Sequence, residues 1–148
     1  MSVRRATVQT DPATSRRMAR IRQRDTSAER LVCNCLRRLG LRFGTRNGDL
    51  PGSPDIANRS RRWVLFVHGC FWHAHPSCVR ATVPKRNRSF WLEKFTDNRI
   101  RDRRVARALR AKGYRAWVIW QCEAEDPNRL EAHLRRFKRT VGTSALKL

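Results

Sequence analysis

Acidic residues are scarce in this chain: 12 Asp and Glu stand against 34 Lys and Arg in 148 residues, for a formal charge of +22. Long apolar runs are missing as well, and nothing approaches the roughly 20 residues that a bilayer-crossing helix needs. Met1 to Arg24 holds seven Arg and no apolar run, so no signal peptide is expected there. The cysteines number five, an odd count that argues against a disulfide framework. A cytosolic or nucleoid location with reduced thiols follows as the expectation, leaving core packing or metal binding as the work of the cysteines. What the chain has in excess is positive charge, which would repel itself in the folded state. A polyanionic partner answers that excess, with nucleic acid ahead of a membrane surface or a ribosome.

The length suits one ordinary domain and not two. Residues 1–24 are Arg-rich without an apolar stripe and read as a basic arm, largely disordered in the absence of a partner. Residues 25–140 read as the folded domain and residues 141–148 as a short tail. Thr26-Ser27-Ala28-Glu29 has the form of a capping box. Leu31, Val32, Cys35, Leu36 and Leu39 follow at helical spacing up to Gly40. Leu41 to Phe43 is expected to form a short strand. Leu50-Pro51-Gly52-Ser53-Pro54 is a turn that delivers Asp55 onto a strand over 55–57. Trp63 to Val67 is the strongest strand, and its unbroken apolar run predicts burial on both faces. Residues 69–88 lack periodicity and read as a loop in need of a staple. A long helix is expected over 89–112, a strand over 114–120, and a last helix from Asp126-Pro127 to about Arg139. That order gives an α/β fold, a mixed β-sheet flanked by helices.

Three constellations carry chemistry. Cys70, His73, His75 and Cys78 fall within nine positions, and Cys122 follows a strand able to lie beside the first. Thiolates and imidazole in a short loop suit a closed structural zinc site, with either His73 or His75 as the imidazole ligand. Cys33 and Cys35, on the first helix, read as core residues. Secondly, Asp55 lies just after its turn, and a neighbouring strand ends in His68. A carboxylate beside imidazoles can hold a hard cation and activate water against a phosphodiester. Thirdly, Phe71-Trp72 sits in a polar loop, either covering the metal site or forming a wedge that enters a base stack. Trp91 is a further wedge candidate, as are Met18 and Ile21 in the arm.

Together these residues resemble the very-short-patch repair endonucleases, which nick DNA at thymine–guanine mismatches. The matching pieces are Met18, Arg24-Asp25-Thr26, Glu29, the run Leu50 to Asp55 and the run Phe66 to His73. They continue with Phe90-Trp91-Leu92-Glu93-Lys94, Asn98, Arg101-Asp102-Arg103-Arg104 and Trp120-Gln121-Cys122. The resemblance implies a restriction-endonuclease-like core with a zinc-stapled loop. It implies magnesium held by Asp55 and the backbone carbonyl of Val67, His73 as general base, and His68 stabilising charge on the phosphate. Glu29 would support the water network, although it also completes the capping box. The zinc set would be Cys70, His75, Cys78 and Cys122, and the wedge Phe71, Trp72 and Trp91 with Met18 and Ile21. The implied partners are mismatched double-stranded DNA and mismatch-repair proteins, with the enzyme a monomer. A related nickase for another lesion, or a zinc-stapled DNA-binding module without activity, are the competing readings.

Overall fold

The apolar run around Trp63 becomes the central strand of a three-stranded mixed sheet. In the computed structural model, which describes Pro12 and residues 26–142, the strands are β1 (Ile56–Asn58), β2 (Trp63–His68) and β3 (Arg115–Trp120). Their spatial order is β1-β2-β3. The helices are α1 (Ser27–Arg38), α2 (Arg88–Ala111), the short α3 (Gln121–Ala124) and α4 (Pro127–Gly142). β1 pairs with β2 antiparallel, Ile56 opposite Leu65. β3 runs parallel to β2, from Trp63 opposite Arg115 to His68 opposite Trp120. A parallel neighbour needs a crossover connection, which α2 supplies.

Alternation along β2 explains its continuous hydrophobicity. Trp63 and Leu65 pack into a core with Val32 and Leu36 of α1 and with Leu134 and Phe137 of α4. Val64 faces a second, smaller core with Ala57, Leu109, Val105 and Phe66. Both faces of the strand are therefore covered, as the sequence predicts. Cys33 and Cys35 are buried in the first core, which agrees with their reading as packing residues.

Local signals set the ends. Thr26 caps α1 by accepting a hydrogen bond from the Glu29 N–H at 3.3 Å. The Asp126 carboxylate caps α4, accepting from Asn128 and Arg129 N–H at 3.1 and 3.2 Å. α4 runs through Gly142 with Val141 buried, into the span expected to be tail. The strand expected at Leu41–Phe43 does not form. Instead Gly44 makes a single bridge to Ala57, with N–O distances of 2.8 and 3.0 Å. β1 is only three residues long and offers too short an edge for a full partner strand.

Candidate active site and metal cluster

β2 ends at His68, and the loop after it folds back on itself. The His73 N–H reaches Gly69 O at 3.1 Å, and the His75 N–H reaches Cys70 O at 2.9 Å. Ala74 and Ser77 adopt left-handed backbone, φ 47° and 57°, an unfavourable conformation for residues with a Cβ. The curl places Cys70, His75 and Cys78 on one side. Because β3 lies parallel to β2 and ends opposite His68, α3 begins against that loop and contributes Cys122. The ligand atoms of Cys70, His75, Cys78 and Cys122 all lie within 4.8 Å of one another. The Cys122 N–H donates to Cys70 Sγ at 3.4 Å, and Cys122 Sγ sits 3.5 Å from His75 Nδ1. Burial pushes the Cys70 thiol up to about 11 against the opposing hydrogen bond from Cys122 N–H. Its thiolate would therefore need a cation beside it. Four soft donors converging on a strained loop fit a tetrahedral metal site.

His73 belongs elsewhere. Its Nδ1 lies 2.8 Å from Asp102 Oδ2 on α2, and its ring stacks on His68 with centroids 3.8 Å apart and planes 4° from parallel. Burial first, then the neighbouring His73, lowers the His68 pKa to about 4, so that ring is neutral near neutral pH. Burial alone would raise the Asp102 carboxyl. The hydrogen bond and charge of His73, with His68 and Arg101, hold it below its ordinary value. His68, His73 and Asp102 also bring donor atoms within 4.8 Å of one another. Face-to-face imidazoles do not converge on one ion, however, because a metal shared by both would lie well out of each ring plane. The arrangement suits proton handling better.

Trp120 stands between the two groups. His75 stacks on its indole at 4.1 Å and 10°, while His68 meets it edge-on at 5.4 Å and 74°. On the other side of β2, Asp55 Oδ2 accepts a 2.7 Å hydrogen bond from the Val67 N–H. Burial raises the Asp55 pKa to about 6 against the Val67 hydrogen bond, and the charge and hydrogen bond of Glu29 raise it further. Two carboxyls side by side are a donor pair that fits a hard divalent ion. Both open into a cleft of about 330 Å³ with Arg30, Asn34 and Arg37 on its α1 wall. Glu29 thus combines the cap, through its backbone, with the site, through its side chain.

The aromatic candidates form one group. Phe71 contacts Trp72, Trp91 and Phe95 with centroids 5.1–5.4 Å apart, and Trp72 lies 5.9 Å from Trp91. Phe95 is buried, whereas Phe71, Trp72 and Trp91 remain half-exposed. They lean on α2, and it is Trp120 that covers the His75 ring. Asn98 Nδ2 donates to the Trp72 carbonyl at 2.7 Å and ties the loop down. Met18 and Ile21 lie outside the described residues. Asp102 is the residue whose role sequence reasoning missed. Its signal was an acid on the inward stripe of α2, which runs through Trp91, Phe95, Asn98, Asp102, Val105 and Leu109.

A His–Asp pair, a half-buried two-carboxyl site and a Cys/His cluster on a mixed sheet, in a chain of +22, define a nucleic-acid hydrolase. The family model described as "DNA mismatch endonuclease Vsr" matches residues 6–80. The chain is 48% identical over 118 residues to the type II nicking enzyme V.XorIIP of Xanthomonas oryzae pv. oryzae, covering 80% of this chain and 86% of that protein. It is 42% identical over 113 residues to the DNA mismatch endonuclease Vsr of Escherichia coli K12, covering 76% and 72%. Against the type II nicking enzyme V.NmeAIP of Neisseria meningitidis serogroup A it is 36% identical over 124 residues, covering 84% and 88%. The chain belongs to the Vsr family and is a DNA endonuclease.

Proposed function

We propose that this endonuclease nicks one strand of double-stranded DNA at T:G mismatches, in very-short-patch mismatch repair, on a restriction-endonuclease-like core. The observation that carries the reading is the His73–Asp102 hydrogen bond, at the end of a strand whose Val67 N–H also holds Asp55. Relatives named as nicking enzymes and as a mismatch endonuclease support it.

Asp55 and the Val67 carbonyl would hold magnesium, which supplies Lewis acidity to the phosphate and acidity to bound water. With Nδ1 donating to Asp102, His73 presents the lone pair of Nε2 and takes the proton of the attacking water. The water oxygen bonds to phosphorus as one P–O ester bond breaks, and the departing oxygen keeps that electron pair and takes a proton from solvent. Asp102 fixes the tautomer and steadies the imidazolium. His68, kept neutral by burial, stabilises the phosphate as an N–H donor. Glu29, beside Asp55, would support the water network at the magnesium ion. Cys70, His75, Cys78 and Cys122 would hold structural zinc, closing a loop that has little core of its own.

Phe71, Trp72 and Trp91, with Met18 and Ile21 from a basic arm over residues 1–24, form the wedge. A mismatch costs less to open than a matched pair, so insertion itself favours the mismatch. The enzyme works as a monomer of one domain, from residue 25 through the end of α4 at Gly142. It acts in the bacterial cytoplasm at the nucleoid alongside mismatch-repair proteins. No helix among the described residues is long and apolar enough to cross a membrane.

The test is a panel of duplexes carrying each mismatch, nicked with magnesium present. Faster single-strand cleavage at T:G than at the matched duplex is expected, and equal rates would reject mismatch recognition. Asp55→Ala should abolish nicking while DNA binding persists; a variant that cuts normally removes Asp55 from the site.

A further inference from the structure

α2 has two lives along its length. Its inward stripe supplies Trp91 to the aromatic group, Asp102 to His73, and Val105 and Leu109 to the second core. About 100° around the helix lies another row, Arg99, Arg103, Arg107 and Arg110, spaced i, i+4, i+8 and i+11. All four side chains are exposed. None has a hydrogen bond or ion pair with another described residue, in contrast to Arg59, Arg80 and Arg135, each paired with a carboxylate. No acid stands three or four residues from Arg103, Arg107 or Arg110. Like charges at that spacing destabilise a helix, so the row works against folding by itself. It extends about 16 Å along the helix axis, from nearly one turn before Asp102 in the direction away from Trp91.

We propose that this flank of α2 is a backbone track for the same DNA duplex, holding the phosphates beyond the cleaved bond while the aromatic group engages the mismatch. The proposal rests on the reading of the chain as a DNA nickase and adds a surface to it. A rigid helix that carries a wedge residue, a site residue and an arginine row fixes the distance between mismatch, cleaved bond and flanking backbone. The row reads no base. It contributes affinity that fades with salt, since each arginine–phosphate contact releases counterion.

The experiment measures binding of a labelled duplex with one T:G pair, without magnesium, over a salt series. Replacing Arg103, Arg107 and Arg110 together by Gln should flatten the slope of log Kd against log salt by about 2.7, roughly 0.9 per arginine. Arg107→Gln alone should flatten it by about 0.9. Replacing Arg129, Arg136 and Arg139, exposed on α4 across the sheet, removes the same charge and should leave the slope at the wild-type value. The α2 variant's Tm should equal or exceed wild type, since removing like charges relieves the helix. An unchanged slope, the same flattening from both triple variants, or a fall in Tm would overturn the track. If wild-type protein fails to nick T:G duplexes while the slopes separate as expected, the track stands and the proposed function falls.

Discussion

The Cys/His cluster and the imidazole–carboxylate cluster share one loop and one indole, yet they are assembled on different terms. Between Cys70 and Cys78 the loop divides its ligand-type residues about Trp120: Cys70, His75 and Cys78 towards Cys122, and His73 towards Asp102 and His68. The first cluster is soft and closed, with three thiols and one imidazole, and its loop is bent through two strained residues. The second is hard and charged, with a neutral imidazole, a paired imidazole and a carboxylate held ionised. Spacing alone could not assign His73 and His75, because two positions of difference mean little in a loop. What divides them is the register of β3, which sets Trp120 opposite His68 and Cys122 beyond it.

If the division is real, each cluster fails alone. His73→Ala should lower the nicking rate by about 10²–10⁴-fold, the scale of a lost general base. Metal content and Tm should stay near wild type. Cys122→Ser should do the reverse, emptying a site expected to hold about one zinc per chain and lowering Tm, because bound metal contributes folding free energy. Elemental analysis and thermal melting of the two variants decide the matter. Loss of zinc from His73→Ala, or zinc retained by Cys122→Ser, would merge the clusters into one.

The same contrast shows what a sequence reveals. Cys70, Cys78 and two histidines stand close in the chain and their chemistry is distinctive, so a metal cluster could be read, while the choice between His73 and His75 and the place of Cys122 needed the topology. β2 was legible because six residues carry it and both neighbouring layers bury it. The strand expected at Leu41–Phe43 was not, because one bridge at Gly44 depends on where β1 ends rather than on local propensity. Asp102 was hidden by its surroundings, one acid among Arg101, Arg103 and Arg104 on a helix rich in charge. Its partner lies 29 residues away. Only its place on the stripe with Phe95 and Leu109 gave it away.

Asp102 therefore offers a finer test of the second cluster. As a positioning residue it acts through His73, so Asp102→Asn should slow kcat by about 10²-fold, the cost of a misplaced catalytic group, with KM nearly unchanged. Asp102→Glu should restore part of the rate. A rise in KM with kcat intact would instead assign Asp102 to DNA binding. Unlike Cys122→Ser, neither change should release zinc.

The smallest effect separates the two uses of Glu29, which joins α1 to the site. Its N–H belongs to the cap on Thr26, and its carboxyl belongs with Asp55. Thr26→Ala removes the cap acceptor and should cost about 1 kcal/mol. In a domain of this size that lowers Tm by about 4 °C. Nicking below the transition should be unchanged, because the helix is held by Val32, Cys35 and Leu36 in the core whether or not its first turn is capped. Glu29→Gln keeps the backbone donor and so keeps the cap, but it takes a charge from beside Asp55 and should slow nicking with little change in Tm. Slower nicking in Thr26→Ala as well would mean that the cap positions the Glu29 carboxyl, and that the cation site is built from the helix end as much as from β2.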